Sequence, residues 1–129
     1  MGFKIIKGVS ENKLPRDIEY WKERDIFLDC RGEIDIHPSV MFGFNIYIYT
    51  MSHDKNDYRK CYYKTVKIEK DVWICSNAIL YNCTIGEGSI VGMGAVVRSM
   101  DVQSCTMVVG NPARIIALFD KIERVWKYL

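Results

Sequence analysis

The sequence predicts an all-β fold, a parallel β-helix wound from six-residue repeats, and three observations predict it. Aliphatic residues recur at Leu28, Ile34, Val40 and Ile46, then at Ile68 and Ile74, then at Ile85, Val91 and Val97. Six is neither the helical period of 3.6 nor the alternation of an ordinary strand. A triangular coil with three short strands per turn, one inward aliphatic per strand and about 18 residues per turn satisfies it. Gly86, Gly88, Gly92 and Gly94 then fall where the chain turns between faces, positions that need positive φ or close backbone approach. Finally, the period breaks at one polar and aromatic stretch, HDKNDYRKCYYKT (53–65), which should leave the coil as a loop. Long loops in compact folds are usually functional.

The elements follow in order. Residues 1–27 lack the period and form an N-terminal segment. Within it, Pro15 followed by DIEYWKERD predicts a short helix packing Ile18, Tyr20 and Trp21 on the first coil. Residues 28–112 form the β-helix, interrupted by the 53–65 loop. Ile74 and Ile85 stand eleven positions apart where two repeats need twelve, so one corner is a residue short. His37 and Asn45 read as corner residues. In residues 113–129 the segment ALFDKIERVWKYL puts Leu118, Ile122, Val125 and Leu129 on one face of a C-terminal helix. Such a helix would cap the coil, whose last strand otherwise exposes an unpaired edge.

Composition narrows the function. At 129 residues and 15.0 kDa the chain reads as one domain. With 49% hydrophobic residues on a short coil, an oligomer is favoured over a monomer. A net charge of +2 gives no case for nucleic acid or a membrane surface. No apolar run reaches membrane-spanning length, and MGFKIIKGVSENK lacks the apolar stretch of a signal peptide. Cys30, Cys61, Cys75, Cys83 and Cys105 form no CxxC and leave one unpaired, which suits a reducing cytoplasm.

The stretches LDCRGEIDI (28–36), NIYIYTMSHD (45–54), VKIEKDVWI (66–74), TIGEGSIVGMGAVV (84–97) and VVGNPARII (108–116) carry a resemblance. In series they resemble the hexapeptide-repeat acyltransferases, particularly the small O-acetyltransferases of sugars and polysaccharides such as the maltose, galactoside and nodulation-factor enzymes. The resemblance implies a left-handed coil, acetyl-CoA as co-substrate, a sugar or glycan acceptor and a homotrimer with sites between adjacent coils. Periodicity alone gives no handedness.

His53 ends a coil strand and opens the loop. The resemblance implies that it removes the proton from the acceptor hydroxyl, and imidazole chemistry suits that task. Asp29 stands near one coil away; the resemblance puts a polar residue there to line the acceptor pocket, where it could hold a sugar hydroxyl or orient His53. A solvated corner aspartate is the alternative. Asp54 contacts the acceptor, points to solvent or fixes the loop. Trp73 matches a tryptophan that borders the acyl-donor groove, with subunit packing as the alternative. Carried over by position, Ser76 and Met93 would lie along the pantetheine, and Arg98, Ser99 and Arg114 near the coenzyme phosphates, where guanidinium groups serve well. Arg98-Ser99 replaces the family's usual Thr-Lys, so the cation is displaced by one position.

No Walker A loop, GxGxxG or GxSxG is present. A zinc enzyme of the γ-carbonic-anhydrase kind shares the coil but needs three histidines, and this chain has two; no metal is expected. N-acetylation of an amino sugar and a non-catalytic repeat scaffold remain the alternative functions.

Overall fold

A computed structural model describes residues 3–129. The nine aliphatic residues that set the period are all buried, none more than 1% exposed. They line a coil with three parallel faces. The first face stacks Lys4–Ile6, Phe27–Asp29, Tyr47–Tyr49, Ile79–Tyr81 and Val96–Arg98. The second stacks Glu33–Ile36, Thr65–Ile68 and Cys83–Ile85, with Val102 bridging to Ile85. The third stacks Met41–Phe42, Trp73–Ile74, Ile90–Val91 and Thr106–Val109.

Each face buries two positions rather than one, as in Ile26 and Leu28, Val66 and Ile68, or Ala78 and Leu80. The columns are therefore finer than the six-residue period predicts. Leu28 stacks on Ile48, Leu80 and Val97, while Ile34 stacks on Val66. Burying each such side chain is worth about 1.5–3 kcal/mol relative to leaving it exposed.

The short corner recurs in every later turn. Leu80 pairs with Val97, and Ile74 with Val91, each seventeen positions on. The missing residue lies between the first and second faces, where Asn82 and Ser99 turn the chain with φ of 49° and 50°. At the corner between the third and first faces, Asn45 and Asn77 also take positive φ, and their side chains are joined at 2.8 Å. Asparagine tolerates this left-handed region better than most side chains.

Three expectations need correction. The coil begins before residue 28, because Lys4–Ile6 pairs in parallel with Phe27–Asp29. Between these strands the helix Ile18–Glu23 forms as expected, with the Asp17 side chain accepting from the Tyr20 N–H. Trp21 is fully buried and meets Tyr20 and Phe42 edge-on, whereas Ile18 is exposed. Second, residues 53–65 are not an irregular loop. They belong to an arm in which Met51–His53 pairs antiparallel with Cys61–Tyr63.

Third, the C-terminal segment is a β-hairpin and not a helix. Arg114–Asp120 pairs antiparallel with the last coil strand, and Val125–Tyr128 pairs with Arg114–Asp120. The free edge of Thr106–Val109 supplies a partner that a helix would leave unsatisfied. β-Branched and aromatic residues (Ile115, Ile116, Phe119, Val125, Trp126, Tyr128) favour the strand. Asp120 Oδ1 closes the turn by accepting from the Ile122 and Glu123 N–H groups, both at 2.9 Å. Leu118, Ile122, Val125 and Leu129, the supposed buried stripe of the helix, are between 46% and 95% exposed.

Candidate active site

The arm leaves the coil at the corner between the first and second faces. Its roots are joined where the Lys64 N–H donates to the Thr50 carbonyl at 2.7 Å. His53 lies three residues out on one strand, opposite Cys61 on the other. The tip is closed by Asp54. One of its carboxylate oxygens accepts from the Asn56 and Asp57 N–H groups at 2.8 and 3.0 Å, and the other from the Tyr62 hydroxyl at 2.7 Å. These bonds, the Tyr62 hydroxyl foremost, hold the Asp54 carboxyl below the usual carboxylate range. The Tyr62 phenol is pushed up in return.

This closure places the Tyr58 carbonyl 2.6 Å from His53 Nδ1. A carbonyl can only accept, so Nδ1 carries a proton, and in the neutral ring the lone pair is then on Nε2. The imidazole is exposed, with the Cys61 sulfur 3.8 Å from Nδ1. Sequence reasoning singled out His53 and Asp54 but not the Tyr58 carbonyl, since a backbone acceptor leaves no signature in residue identity.

Asp29 is fully buried and has different neighbours from those expected. Its Oδ1 accepts from Arg31 Nε at 2.7 Å and from the Arg31 N–H at 3.2 Å. Its Oδ2 accepts from Arg31 Nη2 and the Thr50 N–H, both at 3.1 Å. Burial pushes this carboxyl up, but the Arg31 guanidinium and the two backbone N–H groups outweigh it and hold it below its ordinary value. None of its hydrogen bonds goes to His53. Arg31 was missed, although two residues of opposite charge flanking Cys30 were visible in the sequence.

The remaining candidates divide between two edges of the triangle. Arg98 and Ser99 lie at the corner that bears the arm. Arg98 shares a shallow groove of about 210 Å³ with Tyr49, Ser52 and Tyr81, and Ser99 Oγ accepts from Asn82 at 3.1 Å. Ser76 and Met93 lie one turn apart at the corner between the third and first faces. Ser76 Oγ accepts from the Phe44 N–H at 2.9 Å, and Met93 is 73% exposed. Arg114 belongs to this edge, because it pairs with Val109, the residue packed on Gly92. Trp73 stands outward on the third face, 47% exposed, in a mostly apolar groove of about 350 Å³. Phe119 and Trp126 of the C-terminal hairpin form its other wall. The corner with His53 is thus opposite the face with Trp73, and a single chain cannot bring the two together.

His37 does sit at a corner, its Nδ1 accepting from the Ser39 N–H at 3.0 Å. Among the described residues no three His, Cys, Asp or Glu side chains are grouped so as to hold a metal ion, and no helix is long and apolar enough to cross a membrane.

A three-faced coil of six-residue repeats with a histidine-bearing arm at one corner is the class these features define. Residues 65–99 match the bacterial transferase hexapeptide family (six repeats). The chain is 37% identical over 95 residues to a presumed acetyltransferase of Schizosaccharomyces pombe, covering 70% of this chain and 45% of that one. Its fold is similar to a maltose O-acetyltransferase from Clostridium difficile 630, with a TM-score of 0.70 and 33% identity over 75% of this chain and 54% of the other. A hexapeptide-repeat acetyltransferase from Vibrio cholerae, solved with acetyl coenzyme A, matches with a TM-score of 0.56 and 29% identity over 74% and 58% of the two chains. These likenesses bear out the resemblance to hexapeptide-repeat acyltransferases and imply a left-handed coil. The chain spans about half the length of the relatives it matches.

Proposed function

We propose that the protein is an acetyl-CoA-dependent O-acetyltransferase acting on a hydroxyl of a sugar or glycan, with His53 as general base. The observation that carries this reading is the 2.6 Å bond from His53 Nδ1 to the Tyr58 carbonyl, which leaves Nε2 free to accept a proton. In the reaction the acceptor oxygen attacks the thioester carbonyl carbon while Nε2 takes the hydroxyl proton. The C–S bond then breaks, and the imidazolium returns the proton to the departing thiolate. Ester and free coenzyme thiol are the products.

The division of residues between edges supports a closed cyclic assembly, a homotrimer. One chain's corner with His53, Arg98 and Ser99 would face the next chain's edge with Trp73, Ser76, Met93 and Arg114. The donor would lie in the groove between them, its phosphates held by arginine. Asp54 serves by closing the arm. Five free cysteines fit a reducing cytoplasm.

Thioester release with a panel of sugars, followed for the parent and for His53→Ala, tests the chemistry. Mixing His53→Ala chains with Trp73→Ala chains tests the shared site. Hybrid trimers should regain activity that neither variant has alone, and a fully active monomer in sedimentation would defeat the model.

A further inference from the structure

We infer that the acceptor carries an anion, a carboxylate or phosphate borne on a sugar, and that Arg31 binds it beside His53. For its catalytic part this rests on the acetyltransferase reading. The guanidinium is fixed before any ligand arrives, because Asp29 takes Nε and Nη2 in a forked contact at 2.7 and 3.1 Å. Asp29 is wholly buried and also receives two backbone N–H groups, so it acts as a bracket for Arg31 and has no oxygen to offer a sugar hydroxyl. The Arg31 side chain is 33% exposed and retains N–H donors that Asp29 does not use.

Its place is the base of the arm. The adjoining Gly32 donates to Thr50 Oγ1 at 2.8 Å, and a Cβ on Gly32 would stand 2.6 Å from the Lys64 carbonyl. Thr50 and Lys64 are the arm's two roots, and His53 is three residues further out, about 10 Å of extended chain. That is the reach of one substituted sugar ring.

The charge of the arm is an independent observation. Residues 53–64 hold Lys55, Arg59, Lys60 and Lys64 against Asp54 and Asp57, an excess of two that equals the net charge of the whole chain. Asp57 pairs with Arg59, and Asp54 is occupied by Tyr62 and the loop amides. Among the described residues Lys55, Lys60 and Lys64 form no ion pair. A neutral sugar leaves this field unused. An anionic one is drawn toward the arm and gains charge-assisted hydrogen bonds from Arg31.

The test compares glucose, glucuronate, glucose 6-phosphate and inorganic phosphate by thermal stabilisation and as additions to the thioester assay. The variants are Arg31→Lys, which keeps a cation beside Asp29, and Asp29→Asn/Arg31→Gln, which leaves no buried charge unpaired. Glucuronate or glucose 6-phosphate should stabilise the parent, and whichever does so identifies carboxylate or phosphate as the group read. Both variants should weaken that ligand roughly 10- to 100-fold and leave glucose unchanged. Equal binding by parent and variants, preference for glucose, or inorganic phosphate matching the sugar phosphate would each overturn the inference. Arg31-dependent binding without any thioester consumption would uphold the anion site and refute the acetyltransferase reading instead.

Discussion

His53 and Tyr58 are joined across the arm by a 2.6 Å hydrogen bond from the ring Nδ1 to the backbone carbonyl. The contact uses no part of the Tyr58 side chain. His53→Ala should therefore lower turnover by about 10²–10⁴-fold with coenzyme binding retained, while Tyr58→Ala should keep most of the parent kcat. Steady-state kinetics with saturating donor check both. A Tyr58→Ala variant as slow as His53→Ala would mean that the ring, and not the carbonyl, serves the base.

Asp54 positions that carbonyl by gathering the loop amides and the Tyr62 hydroxyl. Asp54→Ala should reduce kcat more than it raises KM for either substrate, since it loosens the base without touching the ligands. Because the Asp54 carboxyl is held low, its contribution to arm order is complete above the ordinary carboxylate value. It should be lost as pH falls through the depressed one. Exchange of the arm amides followed between pH 7 and pH 2 would show that order.

The Asp29–Arg31 pair makes a stability prediction of the same sign. Asp29 is depressed in the folded chain, so its stabilisation is present above about pH 4, the unfolded carboxylate value, and disappears as pH drops through the lower folded value. Arg31→Ala leaves a buried carboxylate without its cation. It should cost roughly 2–3 kcal/mol, below the range for fully buried pairs because Arg31 is partly exposed. Urea melts at pH 7 measure the loss, and Asp29→Asn/Arg31→Gln should recover much of it.

Thiol reactivity should sort by burial. Burial pushes Cys30 up to about 11 and Cys83 to about 12, so both should resist alkylation at pH 8 in the folded protein. Cys61 is exposed beside His53 and should react first. Alkylation there should slow turnover, and Cys61→Ser should abolish that sensitivity. Mass spectrometry of timed samples reads the order.

The core is open to direct challenge as well. Leu80 is fully buried between Ile48 and Val97, and Leu80→Ala should cost about 2–5 kcal/mol. A loss under 1 kcal/mol by chemical denaturation would show that the turns are not packed as described.

The coil was legible because the same inward positions repeat turn after turn, so each weak local signal is reinforced. His53 was legible as the residue at the break in that repetition. The arm's own pairing was not, since it depends on Asp54 accepting two loop amides, a contact that no periodicity encodes. In ALFDKIERVWKYL a helical stripe and a pair of strands fit equally well, and the free edge of Thr106–Val109 decides between them from outside the segment. The burial of Asp29 was not legible because it lies beside the inward Leu28 and Cys30 rather than among them, and its cover comes from Arg31 and from the Thr50 N–H at the root of the arm, which no repeat encodes.

Ile48 pairs with Leu80 thirty-two positions on, where neighbouring turns need seventeen, and the surplus of fifteen is the stretch 51–65. Thr50 then occupies the place that Asn82 and Ser99 hold in the turns below, directly before a second-face strand. The arm is thus a fifteen-residue insertion at one corner of the repeat. Excising 51–65, with Thr50→Asn to suit the corner, should leave a coil that still folds and still presents its Ser76 edge. Cassettes of other lengths could be grafted at the same joint, so that the sequence borne at this corner can change while the columns of the coil stay as they are.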